Sequence, residues 1–140
     1  MIFYIDMVAD LLHYGHIDAL KNIYTNYKTK DDKIYLGIHN DETVESYKRK
    51  PILTMDERIK VLDCCKYIDK IIPNAPLNVT EDFIKLHKID KIFIPTNRTN
   101  EDNKLMLSNI IDKGIVDIIQ IHYSSEISTT NIINRIKCMY

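Results

Sequence analysis

Three cysteines in 140 residues, adjacent at Cys64 and Cys65 and single at Cys138, leave no CxxC pair and no zinc-type spacing. A disulfide framework and a zinc ribbon are excluded, and the thiols read as reduced ones in a cytosolic setting. An excess of one charge is missing too. With 19 basic against 20 acidic residues, the formal net charge is -1, so no overall field draws the chain to nucleic acid or to an anionic membrane. Any site for a polyanion has to be local. No apolar run nears the roughly 20 residues of a membrane span, and the N-terminus lacks the basic flank and small-residue pattern of a cleaved signal. The sequence therefore predicts a soluble, unprocessed, cytoplasmic protein with no nucleic-acid partner. Glycine occurs only three times, which makes the position of each one informative.

What is present is the alternation of two patterns. At 140 residues, 45% hydrophobic and 28% charged, the chain has the size and composition of one globular domain spanning 1–140. Short isoleucine-rich runs at 2–6, 33–38, 69–73, 90–95 and 116–121 read as strands buried on both faces. Between them, amphipathic patterns predict helices at about 15–27, 55–66, 80–88 and 101–113, with a last one from about 128. Thr54 and Glu57 form a capping-box signature, and Gly114 reads as a stop after the fourth helix. Strand alternating with helix predicts right-handed βαβ units, hence an α/β fold with a five-stranded parallel sheet and helices on both faces. Ligands of such sheets bind beyond the carboxyl ends of the strands.

The turn after the first run is "DLLHYGH", with Gly15 between His13 and His16. A glycine there lets backbone approach a ligand, and the start of the following helix offers N–H groups and a positive dipole end to an anion. Two imidazoles beside it add donors suited to phosphoryl-type transfer, where positioning and charge stabilisation dominate. The same spacing also fits two surface or helix-capping histidines. At the far end, Ser128, Thr129 and Thr130 stand at the start of the last helix, where hydroxyls either cap the helix or join its amides in holding a phosphate.

"DMVADLLHYGH", "NDETVESYKRKP", "TMDERIKVLDCCKYIDKIIPNAPLNVTEDFIKLHKID" and "ISTTNIINRI" follow one another in an order and spacing that resembles the catalytic domain of cytidylyltransferases, most closely the choline phosphate and ethanolamine phosphate type. The resemblance implies a Rossmann-like nucleotidyltransferase fold. It implies that CTP, with Mg2+, and a small phospho-alcohol are the substrates, and that a CDP-alcohol and pyrophosphate are the products. By the same resemblance His13 and His16 contact the CTP phosphates, Lys48 bridges the phosphates of both substrates as a mobile charge, and Arg58 matches the family's helix arginine. Gly15 and the hydroxyls of Ser128, Thr129 and Thr130 fall with the nucleotide, and Asp6 matches an acidic residue near the acceptor's cationic head group. Without the resemblance, Lys48 within "YKRK" would read as a solvated basic loop.

Departures from the family's pattern fall on functional positions. Tyr123 stands where the last motif has a phosphate-binding arginine, and Glu126 where it has a glycine. Ile94 and Pro95 replace a polar run, Met7 a glycine and Ala9 an aromatic residue. Leu77 stands at the choline-type tryptophan and offers no π-face to a quaternary ammonium. Arg98 and Lys104 are sources of a substitute charge or members of an ordinary polar loop, and His39 and His122 lie at strand ends on the ligand side. Three readings follow. They are an active cytidylyltransferase, a nucleotidyltransferase with a changed nucleotide or acceptor such as glycerol 3-phosphate, and a non-catalytic descendant that binds a nucleotide or partner. The segment "CKYIDKII" aligns with a dimer contact of the family, which implies a homodimer, and the chain is expected to carry no membrane-sensing helix.

Overall fold

The strands form where isoleucine runs repeat, and their side chains alternate between two cores as a period of two requires. The computed structural model describes residues 1–124 and 126–140. Among them the order is β1 Ile2–Met7, α1 Tyr14–Asn26, β2 Lys33–Ile38, α2 Asp41–Tyr47, α3 Met55–Leu62, β3 Lys70–Ile72, α4 Glu81–His87, β4 Lys91–Pro95, α5 Asn100–Leu107, β5 Asp117–Ile121 and α6 Thr129–Met139. All strand pairs are parallel, in the order β3-β2-β1-β4-β5. Phe3, Ile5, Ile34, Leu36, Ile38 and Phe93 face one core with Leu20 and Ile23 of α1 and Leu62 of α3. Tyr4, Ile92 and Ile94 face the other, with Ile84 of α4 and Met106 and Leu107 of α5. Helices thus cover both faces. Each fully buried aliphatic side chain contributes about 1.5–3 kcal/mol.

Besides α3, which ends at Leu62 instead of continuing to 66, with a turn bond from Cys65 N to Leu62 O, the predicted elements and the observed ones differ in two places. One is α2, which the sequence reading leaves as loop. Its signal is Asn40, whose side chain caps Thr43 N, followed by the acids Asp41 and Glu42 in the first turn. The helix ends at Tyr47, so Lys48 is its C-cap rather than part of a free loop. The other is α5, which stops at Leu107 instead of continuing to 113. Turn bonds from Ile110 N and Ile111 N to Leu107 O replace the helical ladder, and Ile110 is buried against the second core. Gly114, at φ 63°, closes that turn rather than the helix.

Sheet order decides where a ligand goes. From β1 the chain moves outward to β2 and β3, then returns across β1 to β4 and β5. The connections therefore diverge between β1 and β4, which opens a crevice at the carboxyl ends of these two strands. No helix among the described residues is long and apolar enough to cross a membrane.

Candidate active site at the carboxyl end of the sheet

In that crevice lies a cavity of about 310 Å3, within the size range of small-molecule sites. Asp6 and Met7 from β1, His13 and His16 at the start of α1, Lys48 and Arg49 after α2, Pro95 at the end of β4, Asn97 and Arg98 after it, Tyr123 after β5 and Ser128 to Thr130 at α6 all line it.

The two histidines are bound to the helix they open. His13 is the N-cap of α1, and its Nδ1 accepts from Gly15 N at 3.0 Å. His16 Nδ1 accepts from His13 N at 3.2 Å, completing a capping box made of imidazoles. Because a backbone amide can only donate, both Nδ1 atoms are acceptors and each neutral ring carries its proton on Nε2. The rings stack with centroids 3.9 Å apart. Burial, then the neighbouring His13 and Lys48, push His16 down to about 3, and burial lowers His13. Both rings are neutral N–H donors at pH 7. The capping reading and the ligand-facing reading of this motif hold together. The amides of His13 and Gly15, expected to face an anion directly, are taken by the rings, which present the donor capacity again at Nε2.

Gly15 serves a close approach, but not to a ligand. It lies in the first turn of α1, outside the cavity lining, and a Cβ there would come within 2.8 Å of His13 Cε1 and 3.1 Å of the Tyr123 hydroxyl. The space that a side chain would fill is occupied by the ring that Gly15 helps to fix.

Arg58 also stands elsewhere than expected. Its guanidinium is fully buried outside the cavity lining and donates from Nε to Leu53 O, from Nη1 to Val8 O at 2.6 Å, and from Nη2 to His39 O and to Asp41 at 2.7 Å. Four of its donors hold chain, so none of these reaches a nucleotide. It is a positioning residue that ties the loops after β1 and β2 to the start of α3.

Asp10, which sequence reasoning passed over, does the corresponding task on the other side. Its carboxylate accepts from Ile52 N at 2.7 Å and Leu53 N at 2.9 Å, and its carbonyl accepts from Thr129 Oγ1 at 2.8 Å. It thereby joins the turn before α1, the segment after Lys48 and the start of α6. The turn itself is strained. Ala9 at φ 55° and Leu11 at φ 49° are both left-handed without being glycine, at a cost of about 1–2 kcal/mol each. The available signal was an aspartate three residues before the first histidine.

Ser128 caps α6 through Asn131 N at 3.0 Å, Thr129 is held by Asp10, and Thr130 is exposed at the cavity. Lys48 is exposed at the rim, where the surrounding protein and then Arg98 lower its ammonium's pKa. Asp6, at the floor, is not open to a ligand as expected. Arg98 donates to its Oδ1 at 2.6 Å, and His39 Nε2 is 3.6 Å from its Oδ2. Burial alone would raise its pKa, but Arg98 and His39 hold the carboxyl below its usual value. Arg98 is thus a half-buried partner of Asp6, whereas Lys104 and His122 are exposed and outside the lining. Tyr123 lines the cavity as a neutral hydroxyl, its pKa raised by burial, and Ile94 and Leu77 pack into the second core.

No group of three or more His, Cys, Asp or Glu side chains among the described residues is arranged to hold a metal ion. Asp6 and Asp10 are both engaged as above. A magnesium ion brought by a nucleotide fits this donor set better than a protein-held one.

A family model described as Cytidylyltransferase-like matches residues 7–135. Choline-phosphate cytidylyltransferase A of Mus musculus is 31% identical over 139 residues, which cover 95% of this chain and 35% of that protein. Ethanolamine-phosphate cytidylyltransferase of Arabidopsis thaliana is 32% identical over 143 residues, 96% of this chain and 32% of that one. The chain spans about a third of the length of these relatives. Among solved structures, the lipopolysaccharide core biosynthesis protein from Thermoplasma volcanium matches with a TM-score of 0.66 at 21% identity, over 89% of this chain and 98% of that one, a likeness of fold. With the family model spanning residues 7–135 and the sheet, crevice and paired histidines in the places described, this chain belongs to the cytidylyltransferase-like family.

Proposed function

We propose that this domain transfers a cytidylyl group from CTP to a small phospho-alcohol, releasing pyrophosphate. A phosphate oxygen of the acceptor attacks the α-phosphorus of CTP. The new P–O bond forms as the bond to the β-phosphate oxygen breaks, and its electron pair leaves with pyrophosphate. Such a step needs positioned donors more than covalent chemistry. His13 and His16 supply neutral Nε2–H donors to the charge that develops on the phosphates. Lys48, a flexible ammonium at the rim, follows that charge between the two substrates. The start of α6, with Ser128 and Thr130, takes part of the triphosphate at the positive end of the helix. A magnesium ion bound with the nucleotide would supply charge neutralisation there. The observation that carries this reading is the imidazole capping box, which fixes both rings as Nε2–H donors inside the cavity.

Choline phosphate and ethanolamine phosphate are the acceptors in the relatives' names, and glycerol 3-phosphate is the alternative without a cationic head. Homodimerisation through 65–72 is part of the proposal, and a monomer in light scattering at micromolar concentration would remove it. The test of the reaction is pyrophosphate release with magnesium, crossing CTP and ATP against the three acceptors. Release with one pair is expected, reduced about 10²- to 10³-fold by His16→Ala, the typical loss for one preorganised donor. No release above that variant with any pair would leave a nucleotide-binding protein without this activity.

A further inference from the structure

Three carboxylates line the cavity, and two of them pair with an arginine. Asp10 Oδ2 lies 3.9 Å from Arg49, and Asp6 is paired with Arg98 at 2.6 Å. The second pair differs from the first in the depth of its arginine. The Asp6 side chain is 4% exposed and that of Arg98 11%, against 42% for Arg49. On its other side Asp6 meets His39, whose Nδ1 lies 3.2 Å from the carbonyl oxygen of Ala75. A carbonyl only accepts, so Nδ1 is the donor there, and Nε2, 3.6 Å from Asp6 Oδ2, makes no hydrogen bond. The floor of the cavity is therefore an ion pair in which Arg98 is the hydrogen-bonded partner of Asp6. One of the cavity's aromatic faces is also taken, since Lys48 Nζ sits 5.5 Å from the Tyr47 ring centroid.

A cationic head group reaching this floor meets no unmatched carboxylate. It would have to displace Arg98 from a short, desolvated contact or lie beside its guanidinium. An uncharged, hydroxylated head meets neither cost, because a hydroxyl both accepts from a guanidinium and donates to a carboxylate. Specificity arises here by repulsion as much as by attraction.

We propose that Arg98, by pairing with Asp6, selects an acceptor whose head group is hydroxylated and uncharged and turns away a cationic one. The inference rests on the reading that a phospho-alcohol is the second substrate, and it narrows that substrate's class. Arg98 belongs to the loop after β4, where Ile94 and Pro95 leave no polar side chain at the strand end, and it reaches a residue 92 positions earlier in the chain.

The test compares kcat/KM for glycerol 3-phosphate, ethanolamine phosphate and choline phosphate in the wild type, Arg98→Ala, Arg98→Gln and the double variant Asp6→Asn with Arg98→Ala, each checked for folding by circular dichroism. Wild type is expected to favour glycerol 3-phosphate over choline phosphate by about tenfold or more, a difference of about 1.4 kcal/mol or more. Removing Arg98 uncovers Asp6 and should move the ratio towards the cationic acceptors by a similar factor. Neutralising Asp6 as well should abolish that gain, which a merely structural role for Arg98 would not do. A wild type that prefers choline phosphate, or a ratio unmoved in both Arg98 variants, overturns the inference and leaves the transfer reaction standing. If no pair releases pyrophosphate, competition between the same acceptors by saturation-transfer NMR decides it. The same order of binding keeps the inference while the reaction falls, and equal or absent binding ends it.

Discussion

The two walls of the crevice are built in different ways. On the β1–α1 side, His13, His16 and Gly15 lie within four residues, and their hydrogen bonds close inside a single turn of helix. Across the crevice, Arg98 reaches Asp6 over 92 positions and Thr129 reaches Asp10 over 119. A locally closed arrangement follows from a short motif, whereas a long-range pair exists only when the sheet brings β1 and β4 together. In the proposed reading the transfer chemistry belongs to the first kind of wall and acceptor selectivity to the second.

The largest expected effect is at Arg58, which ties the loop behind the first wall to the loop after β2. Arg58→Met leaves the carbonyls of Val8, Leu53 and His39 without their partner and should destabilise the fold by about 3–5 kcal/mol, the scale for breaking a buried ionic cluster. The drop would appear as a lower urea midpoint, and an unchanged midpoint would contradict the positioning role. Asp10→Ala removes the acceptor of two backbone amides and should cost about 1–3 kcal/mol, with faster hydrogen exchange at Ile52 and Leu53. If exchange there stays slow, Asp10 does not hold the segment after Lys48.

A third prediction concerns pH and belongs to the local wall alone. Both histidines sit below their ordinary value in the folded chain, His16 at about 3. The unfolded chain therefore takes up protons that the folded one refuses. Their contribution leaves stability constant above about pH 6.5 and lowers it as pH falls from there towards 3. Urea midpoints at pH 7 and pH 5 should differ in that direction, and His16→Asn should flatten the slope. The smallest effect is expected at Lys104, exposed and outside the cavity lining. Lys104→Ala should change stability by less than about 0.5 kcal/mol and leave transfer rates unchanged, in contrast to Arg98→Ala.

Much of the fold was legible because apolar period and caps are local. The five strands appear within one or two residues of the isoleucine runs, and the capping box of Thr54 and Glu57 stands as read. α2 is short, but Asn40 and its following acids carry a local N-terminal signature. The site was legible unevenly, for the same reason. His13, His16, Lys48 and the start of α6 do line one cavity. Arg58 was set with the nucleotide by resemblance and Gly15 beside a ligand by its place in a turn, and neither ground contains what covers the residue in the fold.

The sequence by itself determined the alternation of strand and helix, the family to which the chain belongs and the imidazole motif at the head of α1, because each depends on residues near one another in the chain. Tertiary structure alone decided that Asp6 is closed by Arg98, that Arg58 supports the chain rather than a nucleotide, and that Asp10 joins three segments. Buried charges must be matched by whatever polar groups the fold brings within reach, and reach across a sheet is set by strand order, which no local pattern contains.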